Sequence, residues 1–256
     1  MAGRTPTPSP RQVPNQRPRA LVTGGARRIG AAVARALARD GWDLVLHANQ
    51  SVDAAQALAA ELASGLGTDA AVVAADLADP VSLERLVDAL ARFELRGLVN
   101  NASVFDRATL ADTTPDALDR AFRVHVLAPH QLMRTLRARG GLAAVVNVLD
   151  ARIDRAWPER GAYLASKAAL ASLTRTAARE WAPSTRVNGV ALGPIEPPGC
   201  PGDWGAPHSA SVRSLLPAGS PATPDEVAST VALLLGDALP HVTGAIWTID
   251  AGRSLV

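Results

Sequence analysis

Short apolar runs alternate along this chain with longer segments whose apolar positions recur at helical spacing. The runs Ala20–Thr23, Leu44–His47, Ala71–Ala75, Gly97–Asn100, Ala143–Val148, Arg186–Ala191 and Ala245–Ile249 predict strands. The segments Ile29–Arg39, Val52–Ser64, Val81–Arg92, Asp116–Arg139, Gly161–Trp181 and Pro224–Leu235 predict helices, the first ending before Gly41. The strand runs are near-continuous Val, Leu and Ala, as strands buried on both faces require. Alternation of this kind predicts an α/β fold. It would be one Rossmann-type, doubly wound parallel sheet with helices on both faces, over residues 19–256.

Two stretches break the pattern. Residues 1–18 are Pro, Arg, Ser, Thr and Gln with almost no apolar content, which predicts a disordered tail. The tail has no apolar segment of the kind a secretory signal needs. The stretch Pro194–Pro221 is rich in Pro, Gly and Ser and follows a strand's C-terminal end, where ligands bind in such sheets. It is a candidate substrate loop, with Glu196 and Trp204 as candidate pocket residues.

Composition narrows the function classes. At 256 residues and 48% hydrophobic, the chain can bury a large core, and no apolar run reaches the length of a membrane span. A net charge of +2 and few aromatic residues argue against a nucleic-acid surface. A single cysteine, Cys200, excludes an intrachain disulfide and fits a reducing, cytoplasmic setting.

Candidate chemistry gathers at the strand ends. The first strand runs into Thr23-Gly-Gly-Ala-Arg-Arg-Ile-Gly30, which opens a helix. Gly24 and Gly30 permit a tight turn and close backbone approach, and the helix start offers amides to a pyrophosphate beside Arg28 and Ile29. The second strand ends without the acid that holds a ribose 2′-hydroxyl. His47, Asn49, Gln50 and Ser51 stand there instead and offer donors to a 2′-phosphate, so NADPH is the expected cofactor, with no metal. Asp76 and Leu77 close the third strand and are placed against an adenine edge, and Asn101, Ala102 and Ser103 follow the fourth beside the nicotinamide. Finally, the chain's only tyrosine and only lysine, Tyr163 and Lys167, share one helix face at i and i+4. An ammonium beside a phenol lowers the phenol's pKa and suits it to proton transfer near neutral pH.

Taken in order, the Thr23–Gly30 turn, Asn100-Asn-Ala, Tyr163-x-x-x-Lys167, Arg186-Val-Asn-Gly and Ile249-Asp-Ala-Gly resemble a short-chain dehydrogenase/reductase over residues 19–256. The resemblance implies Tyr163 as proton donor, with Lys167 binding the nicotinamide ribose and tuning the phenol. It places Gly193 and Ile195 near the carboxamide, although Gly193-Pro194 reverses the family's usual order. It also implies a homodimer or homotetramer built on the helices over 116–139 and 161–181.

Three departures are similar to the pteridine reductase branch. Arg28 replaces a turn glycine, Asp150 stands thirteen residues before Tyr163 in place of Ser or Thr, and Ser103 is followed by Val104-Phe105. In that branch the Arg and Ser contact cofactor and pterin, and the Phe stacks on the pterin ring. The resemblance therefore implies Arg28, Ser103, Phe105, Asp150 and Tyr163 as substrate contacts, and Asp150, Tyr163 and Lys167 as the catalytic set. The implied reaction is NADPH-dependent reduction of a dihydropterin or dihydrofolate-type small molecule. His125 stands where the family has a relay Asn, which puts that relay in question. A general carbonyl or ketoacyl reductase, and a non-catalytic nucleotide binder, are the alternative readings.

Overall fold

The structure, a computed structural model, describes residues 17–196 and 213–256. The tail up to residue 16 and the Cys200 and Trp204 part of the candidate substrate loop lie outside the described residues.

Seven parallel strands form one sheet in the order β3-β2-β1-β4-β5-β6-β7. They are β1 (Arg19–Val22), β2 (Asp43–Ala48), β3 (Ala70–Ala74), β4 (Gly97–Asn100), β5 (Ala144–Asp150), β6 (Arg186–Leu192) and β7 (Ile246–Ile249). Among the described residues the α-helices are α1 (Arg28–Arg39), α2 (Val52–Leu66), α3 (Pro80–Ala89), α4 (Pro115–Phe122), α5 (Ala128–Ala138), α6 (Gly161–Trp181) and α7 (Pro224–Leu235). The predicted single-domain, doubly wound sheet is the observed one. Strand β5 is buried along its whole length, which is why its sequence lacks polar alternation.

One apolar cluster packs α1 and α7 against the sheet through Val33, Leu37, Val227 and Val231. A second packs α3 and α5 against the opposite face through Leu83, Leu86, Leu132 and Leu136. Winding reverses between β1 and β4, so the C-terminal ends of these strands open a crevice.

The helix expected over 116–139 is interrupted. Arg123–Leu127 form a π turn between α4 and α5. Pro129 has no amide and its ring would collide with the carbonyl of His125 four residues back, and a wider turn at this point avoids that collision. Among the described residues no helix is long and apolar enough to cross a membrane.

Candidate active site

The glycine turn is held from three sides. Thr23 Oγ1 accepts from the amides of Asn101 (2.9 Å) and Ala102 (3.0 Å) and donates to the Val99 carbonyl (3.3 Å). The Asn101 side chain donates to the carbonyls of Thr23 (2.9 Å) and Gly24 (3.1 Å). Asn101 lines the cleft, but its amide group is spent fastening β4 to the turn. The Gly24 amide donates to His47 Nδ1 at 3.2 Å, and the protonated Nε2 donates to the Ala75 carbonyl at 3.0 Å.

His47 therefore corrects the expectation of a direct cofactor contact. It is buried and satisfied on both nitrogens, and burial lowers its pKa, so it braces the turn as a neutral ring. Leu77 is also withdrawn, because its side chain is buried in the core between sheet and α3. Asp76 is exposed and accepts from the Ala78 amide at 2.9 Å, acting as a turn former before α3. Asn49 and Gln50 are exposed and Ser51 half-buried, at the open end of β2 and outside the cleft's lining.

The cleft, of about 1130 Å³, runs from the glycine turn across the ends of β4, β5 and β6. Gly24, Arg28, Ile29, Gly30, Ala102, Ser103, Phe105, Asp150, Tyr163, Lys167, Gly193 and Ile195 all line it. Gly193 must be glycine, since a Cβ there would lie 2.5 Å from that of Asp250. Glu196 pairs its amide with the Ala222 carbonyl and is not among the lining residues.

At the centre, Tyr163 Oη donates to Asp150 Oδ2 at 3.0 Å, and the Arg152 amide donates to Asp150 Oδ1 at 2.8 Å. Asp150 is only 8% exposed, and burial raises its pKa. Burial also raises the Tyr163 phenol, and the adjacent Asp150 carboxylate raises it further. This reverses the expected tuning by Lys167. The lysine is 2% exposed, its ammonium donates to the Val148 carbonyl at 2.8 Å, and it sits 5.9 Å from the Tyr163 ring centroid. Burial lowers its own pKa to about 8. In this structure, then, the phenol is held neutral and bonded to a reluctant carboxylate, and the two form one acid pair.

Phe105 is 49% exposed and meets Tyr163 edge-on, with ring centroids 4.8 Å apart. The Arg160 guanidinium lies 3.9 Å over the Phe105 ring, and Trp157 is 5.6 Å away. The loops after β4 and β5 are tied by a pairing of Ala108 with Arg160 and by an Arg107–Glu159 ion pair at 2.6 Å.

His125 does not reproduce the expected relay. Its Nε2 accepts from the Val104 amide (3.1 Å) and the Ser103 hydroxyl (2.9 Å). Its Nδ1 then donates to Ser166 Oγ (2.8 Å), which donates to the Tyr163 carbonyl (2.7 Å). Burial, with Lys167 nearby, drives its pKa far down. This neutral ring fastens the Ser103 loop to the first turn of α6.

The sequence reading missed Thr23 and His125 as braces, and Arg152, Arg155, Trp157, Arg160 and Arg253 as cleft residues. The spacing of basic residues between Asp150 and Gly161 was a signal for three of them.

A parallel seven-stranded sheet with a Tyr-Lys pair beside a glycine turn defines a nucleotide-dependent oxidoreductase. The chain belongs to the short-chain dehydrogenase/reductase family, and a family model described as enoyl-(acyl carrier protein) reductase matches residues 24–254. It is 35% identical over 250 residues to Protein FixR of Bradyrhizobium diazoefficiens, covering 92% of this chain and 86% of that one. It is 31% identical over 260 residues to 1-cyclohexenylcarbonyl-CoA reductase of Streptomyces collinus, covering 98% and 91%. The crystal structure of FolM alternative dihydrofolate reductase 1 from Brucella canis, complexed with NADP, superposes with a TM-score of 0.82 at 34% identity, covering 93% and 95%.

Proposed function

We propose that this protein reduces a C=N bond of a dihydropterin-type ring to the tetrahydro form, using NADPH. The observation that carries the reading is the Asp150–Tyr163 pair, a carboxyl at 3.0 Å from the phenol, where a ketone reductase would hold a neutral hydroxyl. An ionised carboxylate there would repel the alkoxide that forms when a ketone is reduced. A C=N bond needs a proton on nitrogen, which an acid pair supplies. The likeness to the Brucella dihydrofolate reductase supports the same assignment.

The residues present fit NADPH. Gly24 adopts φ +62°, and a Cβ there would lie 3.0 Å from Ala102 Cα, so the turn keeps a backbone-lined cradle open. Arg28, Ile29 and Gly30, at the start of α1, line the same cleft, where a helix N-terminus and a guanidinium suit a pyrophosphate, and the polar residues 49–51 at the β2 end include no acid to repel a 2′-phosphate. When bound, the cofactor supplies the hydride. Phe105 supports the flat ring and Tyr163 hands its proton to the ring nitrogen. Asp150, when protonated, restores the phenol. Lys167 keeps a positive charge near the pair as the proton moves. We also propose assembly through α4, α5 and α6, where Leu118 on α4 and Leu127 in the π turn before α5 are exposed.

Arg28 holds φ +49°, a left-handed geometry at which most short-chain reductases place glycine. Arg28→Gly should leave stability within about 1 kcal/mol of the parent, because relieved strain of roughly 1–2 kcal/mol is offset by glycine's unfolded-state entropy of roughly 0.5–1 kcal/mol. NADPH affinity should fall about tenfold with the lost charge-assisted hydrogen bond. Thermal melting and a fluorescence titration of NADPH check the two separately.

The defining assay compares NADPH consumption on dihydropterins and on ketones across pH. Dihydropterin turnover should fall as pH rises through the raised Asp150 pKa, because the pair then loses its second proton. Stability has the same sign: a carboxyl raised in the fold stabilises fully below its unfolded pKa and loses that contribution as pH climbs through the folded value. Asp150→Asn should remove this pH limb from both the rate and the melting curve. Brisk ketone turnover with none on dihydropterins would instead favour an acyl or carbonyl reductase, the reading supported by the CoA reductase relative.

A further inference from the structure

The loop after β5 and the turn after β7 bring Arg152, Arg155 and Arg253 to the lining of the cleft. Arg155 donates to the main-chain oxygens of Ser254 and Val256, and so anchors the turn that carries Arg253. Arg152 stacks 4.1 Å over the Trp157 ring. Its pKa is lowered, first by burial and then by the charge of Arg253, with Arg155 adding and Asp150 opposing. The ion pairs among the described residues engage Arg19, Arg35, Arg96, Arg107, Arg120 and Arg123, and none engages Arg152 or Arg253.

Arg152 and Arg253 thus set two guanidinium groups on one cleft, in no ion pair among the described residues, while the nearby Asp150 carboxyl is bonded to Tyr163 and the Arg152 amide, so an anion on a ligand would be favoured beside them. An aromatic path leads to them from the catalytic phenol. Tyr163 meets Phe105 at 4.8 Å, Phe105 meets Trp157 at 5.6 Å, and Arg152 lies on Trp157. Flat groups joined end to end fit such a path, with an anion at its far end.

We propose that Arg152 and Arg253 form a subsite for a carboxylate on the substrate's tail. The preferred substrate would then be a pterin joined through an aryl linker to an acid, in preference to a pterin with a neutral hydroxyalkyl chain. The assignment rests on the reductase reading, but the subsite can be tested without turnover.

The probe is 4-aminobenzoylglutamate, the tail without the ring, titrated calorimetrically into the protein with NADPH present. Arg152→Gln and Arg253→Gln should each weaken its binding roughly tenfold, the effect of losing one hydrogen bond to a charged group. Arg152→Lys should recover part of that loss, and Arg85→Gln on exposed α3 should match the parent. In turnover, the ratio of kcat/KM on dihydrofolate to that on dihydrobiopterin should fall about tenfold in the two Gln variants, through KM. Tail binding with this Arg dependence supports the subsite even if no pterin is reduced, a result that would sink the proposed reaction alone. No tail binding by the parent, or equal binding by all variants, overturns the subsite whatever the turnover. Coenzyme A binding with the same Arg dependence, without tail binding, overturns the carboxylate assignment in favour of a phosphate.

Discussion

Tyr163→Phe should lower kcat on the pterin substrate by about a hundred- to ten-thousandfold, the usual worth of a positioned proton donor. NADPH binding should stay close to that of the parent. The reason lies in the local geometry. The phenol donates only to Asp150, while Lys167 is fixed separately by the Val148 carbonyl. Removing the hydroxyl therefore removes the transferable proton without releasing the lysine. The structural cost is one lost donor to a buried carboxyl, about 1–3 kcal/mol if the carboxyl stays ionised. Asp150 escapes part of that cost by holding its proton, since the Tyr163 hydrogen bond is one of the interactions that lower its already raised pKa. The variant should thus melt slightly lower yet fold. Single-turnover kinetics with saturating NADPH separate the two effects, and a rate within a few-fold of the parent would remove Tyr163 from proton transfer.

Gly30→Ala should be the most damaging glycine-to-alanine substitution among the described residues. A Cβ at this position would lie 2.0 Å from the Gly24 carbonyl oxygen and 2.8 Å from Asn101 Nδ2. Neither obstacle can yield cheaply. The Gly24 oxygen is held by Asn101, and the Gly24 amide by His47. Overpacking ordinarily costs about 1–3 kcal/mol, and a backbone obstacle locked by two hydrogen bonds belongs at the upper end or above it. Opening the turn would also move its amides away from the pyrophosphate, so NADPH affinity should fall by a hundredfold or more, on the order of 3 kcal/mol. Gly65→Ala is the contrast. No atom lies within 4 Å of a Cβ there, in the last turn of α2, and the helix should gain about 0.5–1 kcal/mol. Parallel melting curves and NADPH titrations of both variants check the pair. Equal behaviour would show that the turn is softer than its contacts imply.

Much of the fold was legible because its determinants are local. Apolar strand runs and helical periodicity report burial directly, so the boundaries of α6 and α7 match their predicted spans, Gly161–Trp181 and Pro224–Leu235. The break at Arg123–Leu127 was less visible, since periodicity continues across it and only Pro129 marks it. At the site, Tyr163 and Lys167 stood out by spacing and by rarity, and Asp150 by the resemblance to the pteridine reductase branch. Their electrostatics did not. Whether an ammonium or a carboxylate governs a phenol depends on ångström distances, and the carboxylate is the group in hydrogen-bond contact.

His47 shows the same limit. A polar side chain at a strand end reads alike whether it faces a ligand or braces the next loop, and the fold turned it inward. The sequence by itself determined the sheet, the glycine turn and the Tyr163–Lys167 pair, because these follow from composition and short-range spacing, and it pointed to Asp150 only through the family resemblance. Only the tertiary structure decided that Arg152 and Arg253 line one cleft and that His125 braces Tyr163 through Ser166. Such contacts join residues far apart in the chain, and no local pattern encodes their distance.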